Sequence, residues 1–166
     1  MNQYDGYTLA LEHLYKQGRR KIVNLYGNME SLNTGSRMKA YEDFCTKYNI
    51  DYNENFHGLS TVKDGENMAK WWLDQKEKPD AFATLTDSVA AGLFTKAKEY
   101  GLDIPGDFSV VGFDDIEISR LLKLTTIHYP IDLQAKNAFI IIDNILNNKN
   151  TPLFPLSFYL VERKST

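Results

Sequence analysis

The sequence predicts an α/β fold: a three-layer, mostly parallel sheet with helices on both faces. Three observations lead there. Short, mostly apolar runs such as Ala81 to Leu85 and Phe108 to Gly112 alternate with longer segments of helical periodicity. Strands with apolar residues on both faces are buried on both, which is the signature of a parallel sheet between helical layers. Each run is bounded by Gly, Pro or Asp, so the alternation is punctuated.

The elements follow in order. Residues 6–17 place Tyr7, Leu11 and Leu14 on one helical face with Ala10 beside them, and Gly18 supplies the stop. Ile22 to Tyr26 reads as a buried strand ending at Gly27-Asn28. A helix carrying Met38, Tyr41, Cys45 and Tyr48 follows a polar loop. Residues 51–58 are a weaker strand candidate. Thr61 to Asp64 has the form of a capping box and opens a helix with Met68, Ala69, Trp72 and Leu73 facing inward. The strand at 81–85 leads to Asp87, a natural N-cap for a helix bearing Ala90, Leu93, Phe94 and Ala97 that stops at Gly101. Strands at 108–112 and 124–129 come next. Asp132 caps a helix to about Asn147 whose run Phe139 to Ile142 is apolar all round, and Leu156 to Val161 closes the chain as a strand.

Bulk properties limit the function. The 166 residues suit one domain with a real core, and the net charge of −3 offers no cationic surface for a phosphate backbone. The run Arg19-Arg20-Lys21 reads as a helix end complementing the dipole. Cys45, the single cysteine, has no partner for an internal disulfide and reads as a buried, inert thiol. No stretch has the form of a signal peptide or membrane span, so the cytoplasm is the expected compartment.

Polar residues cluster where the strands end: Asn28, Ser31, Asn33 and Arg37 after the first strand, Thr86 and Asp87 after 81–85, Asp114 and Asp115 after 108–112, and Tyr129 after 124–129. In a parallel sheet these gather on one rim, the rim where open α/β sheets bind ligands. Carboxylates, a guanidinium, hydroxyls and an aromatic suit a small polyhydroxylated ligand. Arg37 reads equally as a ligand contact or an exposed helix charge. Asp87 and Asp115 have plain structural readings as caps, and Asp114 is the strongest ligand candidate. The chain carries no phosphate-binding loop, nucleophile elbow or zinc motif, and His13, His57 and His128 lack metal spacing. No metal, cofactor or catalytic residue is expected. A cytosolic enzyme acting on a sugar or sugar phosphate, with Asp114 as base, is the competing reading; a periplasmic-type solute-binding protein is another.

Taken together, these strings resemble the lactose/galactose repressor (LacI/GalR) family. The resemblance is carried by Gly101 to Asp115 with Leu124-Thr-Thr-Ile127, by Ala10 to Leu14 with Gly18 to Ile22, by Arg37 to Tyr41, by Pro79 to Ala83 with Asp87 to Gly92, and by Val161 to Thr166. Members are DNA-binding transcription regulators with a helix-turn-helix domain and a two-lobed core, related to periplasmic sugar-binding proteins, that closes on a small effector. The resemblance implies a C-terminal lobe at 20–128 plus 155–163, with 6–17 and 132–147 as remnant helices of the N-terminal lobe. The rest of that lobe and the DNA-reading domain are expected upstream of Met1. It implies effector contacts at Asp5, Asn33, Arg37, Thr86, Asp114 and Tyr129, with operator DNA reached only through the N-terminal domain. Thr86 stands where the family usually has Asn. Leu59-Ser60 stands near where it has a stacking aromatic, with Phe56 or His57 as substitutes. Ala40, Arg19 and Lys123 replace the usual Gly, His and Pro. With no N-terminal sheet beneath them, the two remnant helices are expected to be uncovered, exposing Ile140 to Ile142 and favouring a homodimer or an intertwined pair.

Overall fold

The computed structural model describes residues 2–27, 31–51 and 55–166. The elements are α1 (Gln3–Lys16), β1 (Ile22–Tyr26), α2 (Leu32–Tyr48), β2 (Asn55–His57), α3 (Val62–Asp74), β3 (Ala81–Ala83), α4 (Asp87–Glu99), β4 (Ser109–Asp114), α5 (Glu117–Leu121), β5 (Thr125–His128), α6 (Ile131–Asn147) and β6 (Tyr159–Val161). The sheet runs β2-β1-β3-β4-β5-β6, parallel except for β6, which pairs antiparallel with β5.

The strands alternate their side chains between two cores. Val23, Leu25, Phe82 and Val110 enter the layer formed by Met68 and Trp72 of α3 with Val89 and Leu93 of α4. Ile22, Ala81, Ala83, Val111 and Phe113 enter the opposite layer with Tyr7, Leu11 and Leu14 of α1 and Tyr41 and Phe44 of α2. Apolar residues therefore stand on both faces of the strands, because both faces are covered.

Several details depart from expectation. The helix at 6–17 begins at Gln3, and its stripe of Tyr7, Leu11 and Leu14, all fully buried, covers this sheet and is not left bare. The N-cap of α4 is Thr86, whose hydroxyl accepts from the Val89 N–H. Asp87 is instead the first helical residue and is fully buried. Pro130, not Asp132, occupies the N-cap of α6, with no side-chain cap bond. Cys45 is half-buried. Asn28 lies outside the described residues. The capping box at Thr61 and Asp64 forms as expected.

The apolar α6 is a helix that leans off the body. Phe139 is 71%, Ile142 57% and Leu146 76% exposed. Only Asn137 is buried along it, and its amide both donates to Phe154 O and accepts from Phe154 N, tying the helix to the returning segment.

Candidate functional site

Strand order reverses at β1 and β3, one running toward β2 and the other toward β4. That reversal opens a crevice beyond the carboxyl ends of the strands. A cavity of about 360 Å³ lies there. Gly27 after β1, Leu85 and Thr86 after β3, and Asp114 at the end of β4 form its floor, and the first turns of α2 supply Ser31, Asn33, Thr34 and Arg37. Ser31 starts that helix by accepting from Asn33 N.

Arg37 is 7% exposed, which settles its reading: it is not a solvated helix charge. Its Nε and Nη2 donate to Gln3 Oε1 (3.0 and 2.6 Å) and its Nη1 to Leu85 O (2.7 Å). The guanidinium lies 4.0 Å over the Phe113 ring. Burial pushes its pKa down, while Tyr7 and Asp114 act the other way. The rigid fork is thus fixed at the cavity wall, with part of its donor set left for a ligand.

Asp114 is half-buried, and no hydrogen bond to its carboxylate occurs among the described residues. Burial pushes its pKa up to about 6; Arg37 pulls it down and Asp87 pushes it further up. A desolvated acceptor beside a fixed donor is suited to two hydroxyls of one ligand. Asp115 is different. Burial opposes its charge, but hydrogen bonds from Arg163 and His128 outweigh that and hold it below the usual carboxylate range. Its partners are Arg163 Nη2 (2.8 Å), Ser119 Oγ and His128 Nδ1 (both 3.1 Å). Asp87 accepts from Thr126 Oγ1 (2.5 Å) and Ile116 N (2.9 Å), and burial raises it to about 6.

Of the residues named from the sequence, Asn33, Arg37, Thr86 and Asp114 share this cavity. Asp5 is exposed on α1 and lines a separate groove with Thr8, Leu9 and Phe158. Tyr129 donates to Gln134 Oε1 (3.0 Å) and leans on Phe158, away from the cavity. Phe56 packs against Trp71 and His57 is exposed; Leu59 and Ser60 line the cavity in their place. Gln3 was missed. Its place one turn before Tyr7, on the Tyr7–Leu11–Leu14 stripe, was the available signal. Among the described residues, no group of three or more His, Cys, Asp or Glu is placed to hold a metal, and no helix is long and apolar enough to cross a membrane. A larger depression of about 610 Å³ by the C-terminal end of α4 is walled by Phe94, Leu102, Ile104 and Leu122. Thr95, Lys98 and Glu99 stand on its lining too, all on α4, whereas the polar groups of the switch-point cavity converge from several elements.

A doubly covered sheet with a polar crevice at its switch point defines a small-molecule-binding lobe. Residues 11–166 match the family described as periplasmic binding protein-like domain. The chain is 28% identical over 163 residues to the HTH-type transcriptional regulator YkvZ of Bacillus subtilis, covering 97% of this chain and 51% of that protein. It is 31% identical over 156 residues to the transcriptional repressor PurR of Vibrio vulnificus, covering 89% and 46%. Its fold matches a LacI family transcriptional regulator of Enterococcus faecium solved with bound ribose, with a TM-score of 0.86 at 27% identity, over 99% of this chain and 63% of that one. The chain belongs to the periplasmic binding protein-like domain family, in the form found in LacI/GalR-type regulators. It spans about half the length of the curated relatives it matches.

Proposed function

We propose that this chain is the effector-sensing part of a LacI/GalR-type transcriptional regulator and binds a sugar-like molecule in the switch-point crevice. The observation that carries the reading is the buried Arg37 fork beside the unbonded Asp114 carboxylate. In this reading Asn33 and Thr86 complete the described wall, and Asp5 and Tyr129 reach the effector only through a rearrangement. The lobe at 20–128 with 155–163 takes α1 as its own, and 132–147 belongs with a second lobe. Closure of the two lobes on the effector shifts a two-state equilibrium that a helix-turn-helix region reads out on operator DNA in the cytoplasm. The chain's net charge of −3 fits DNA contact made elsewhere.

The site is read as non-catalytic. A carboxylate near neutrality suits a base, but among the described residues no second titratable acid and no activated nucleophile lines the cavity with it. Calorimetry with D-ribose and D-galactose tests the proposal. Wild-type protein is expected to bind one of them, and Asp114→Asn to bind it at least tenfold more weakly. The same variant is expected to be more stable at pH 7, by about 1–2 kcal/mol. Native Asp114 titrates near 6, against 3.8 for an unperturbed carboxylate. Between those values the folded state holds the extra proton, so acidification favours folding and the charged form costs stability above pH 6. The gain should vanish near pH 4. Equal affinity in both proteins would sink the reading.

A homodimer is proposed through the apolar face of α6. Sedimentation equilibrium should give a dimer for the wild type and a monomer for Ile142→Glu, since a charge on that face cannot be buried unpaired. A monomeric wild type at high concentration would rule it out.

A further inference from the structure

Asp114 and Asp115 both sit at positive φ, +108° and +58°. Neither is glycine, and two successive residues in this region persist only where their surroundings hold them. The cavity does not do the holding: among Asp87, Asp115, Ser119 and Arg163, none lines it. The restraints come from behind. Asp87, buried at the start of α4, accepts from Ile116 N on the far side of the turn while its other oxygen holds Thr126 of β5. Arg163, just past β6, donates through Nη2 to Asp115 and through Nη1 to Ser119 Oγ (3.1 Å) and Leu124 O (2.7 Å). The tail bearing Arg163 is anchored in turn. Its own N–H donates to Thr125 Oγ1, and Ser165 Oγ donates to Val110 O and accepts from Thr125 N.

We infer that Arg163 and Asp87 are positioning residues for effector recognition, clamping the 114–116 turn from outside the cavity so that the Asp114 carboxylate faces Arg37. The inference rests on the reading of Asp114 as an effector contact. Arg163 is the better probe, since it is half-buried near the chain end, whereas Asp87 is enclosed in the core. The contact is a planar fork onto three acceptors, which lysine can copy only in charge and at one point.

The test compares wild type, Arg163→Gln, Arg163→Lys and Asp114→Asn by urea unfolding, by calorimetry with D-ribose and D-galactose, and by the NMR titration of the Asp114 carboxyl carbon. The glutamine variant is expected to remain folded and to weaken sugar binding at least tenfold. Its Asp114 titration should fall from about 6 toward the ordinary carboxylate range, because a released turn exposes the group to water. The cation acting on Asp114 is Arg37, so removing the Arg163 charge alone would leave that titration in place or raise it, and a fall separates release from simple electrostatics. Lysine should restore part of both readouts. An unchanged or raised Asp114 titration in Arg163→Gln, or affinity within twofold of wild type, would overturn the inference. If wild type binds neither sugar, the effector reading loses its support, while the Asp114 titration still decides whether Arg163 positions the group.

Discussion

Replacing Gly92 with valine is expected to lower stability by about 3 kcal/mol or more, the upper end of what overpacking costs. Gly65 of α3 and Gly92 of α4 let the two helices cross in backbone contact. A Cβ on Gly92 would collide with the Val62 carbonyl oxygen, and one on Gly65 with the Val89 carbonyl oxygen. Side chains can rotate out of a clash, but a hydrogen-bonded helix backbone must move as a body. Separating α3 from α4 would open the layer holding Met68, Trp72, Val89 and Leu93 and shift the α4 N-terminus, where Thr86 and Asp87 serve the site. Urea unfolding at pH 7 measures the loss, and the melting temperature should drop by roughly 6–12 °C. Gly35, with open space where its Cβ would stand in α2, is the control. Gly35→Ala should be stabilising by about 0.5–1 kcal/mol. A Gly92→Val protein within 1 kcal/mol of wild type would show that the crossing has slack.

The second large effect is expected at Arg37. Arg37→Leu should abolish sugar binding at the level of a hundredfold or more, about 2.7 kcal/mol. It removes the donor fork, leaves Leu85 O and Gln3 Oε1 without their partner, and takes away the cation that pulls the Asp114 titration down. Breaking such a buried arrangement costs about 3 kcal/mol of stability. The loss should be greater at pH 7 than at pH 5. Without the cation the Asp114 titration rises above its present value of about 6, so ionising the group costs the folded variant more than wild type at pH 7, while at pH 5 it is largely protonated in both and that extra cost disappears. Arg37→Lys should retain much of the stability and little of the binding, because a point charge lacks the fork. A leucine variant with equal losses at both pH values would refute the coupling of Arg37 to Asp114.

The pattern of elements was legible because it is local. Apolar runs, the Thr61–Asp64 capping box and the stops at Gly18 and Gly101 each act within a few residues. The short α5 was not legible: five residues carry too little periodicity to register. The rim of the site was half legible. Asn33, Arg37, Thr86 and Asp114 follow strand ends, and strand ends converge in any parallel sheet. Asp5 came from resemblance alone and Tyr129 from its place at a strand end as well, and here both face other surfaces.

By itself, then, the sequence determined the α/β alternation, the sheet's burial on both faces and which strand ends would carry polar groups. These are set by side-chain period and by backbone preference, both properties of neighbouring residues. Tertiary structure alone decided that Arg37 is buried and forked onto Gln3 and Leu85, that Asp87 ties Ile116 to Thr126, and that Arg163 locks Asp115 while the Asp114 carboxylate takes no hydrogen bond among the described residues. Those pairs are separated by 29 to 48 positions. Their geometry depends on how strands stack and helices cross, and the charge state of a carboxylate follows from what surrounds it.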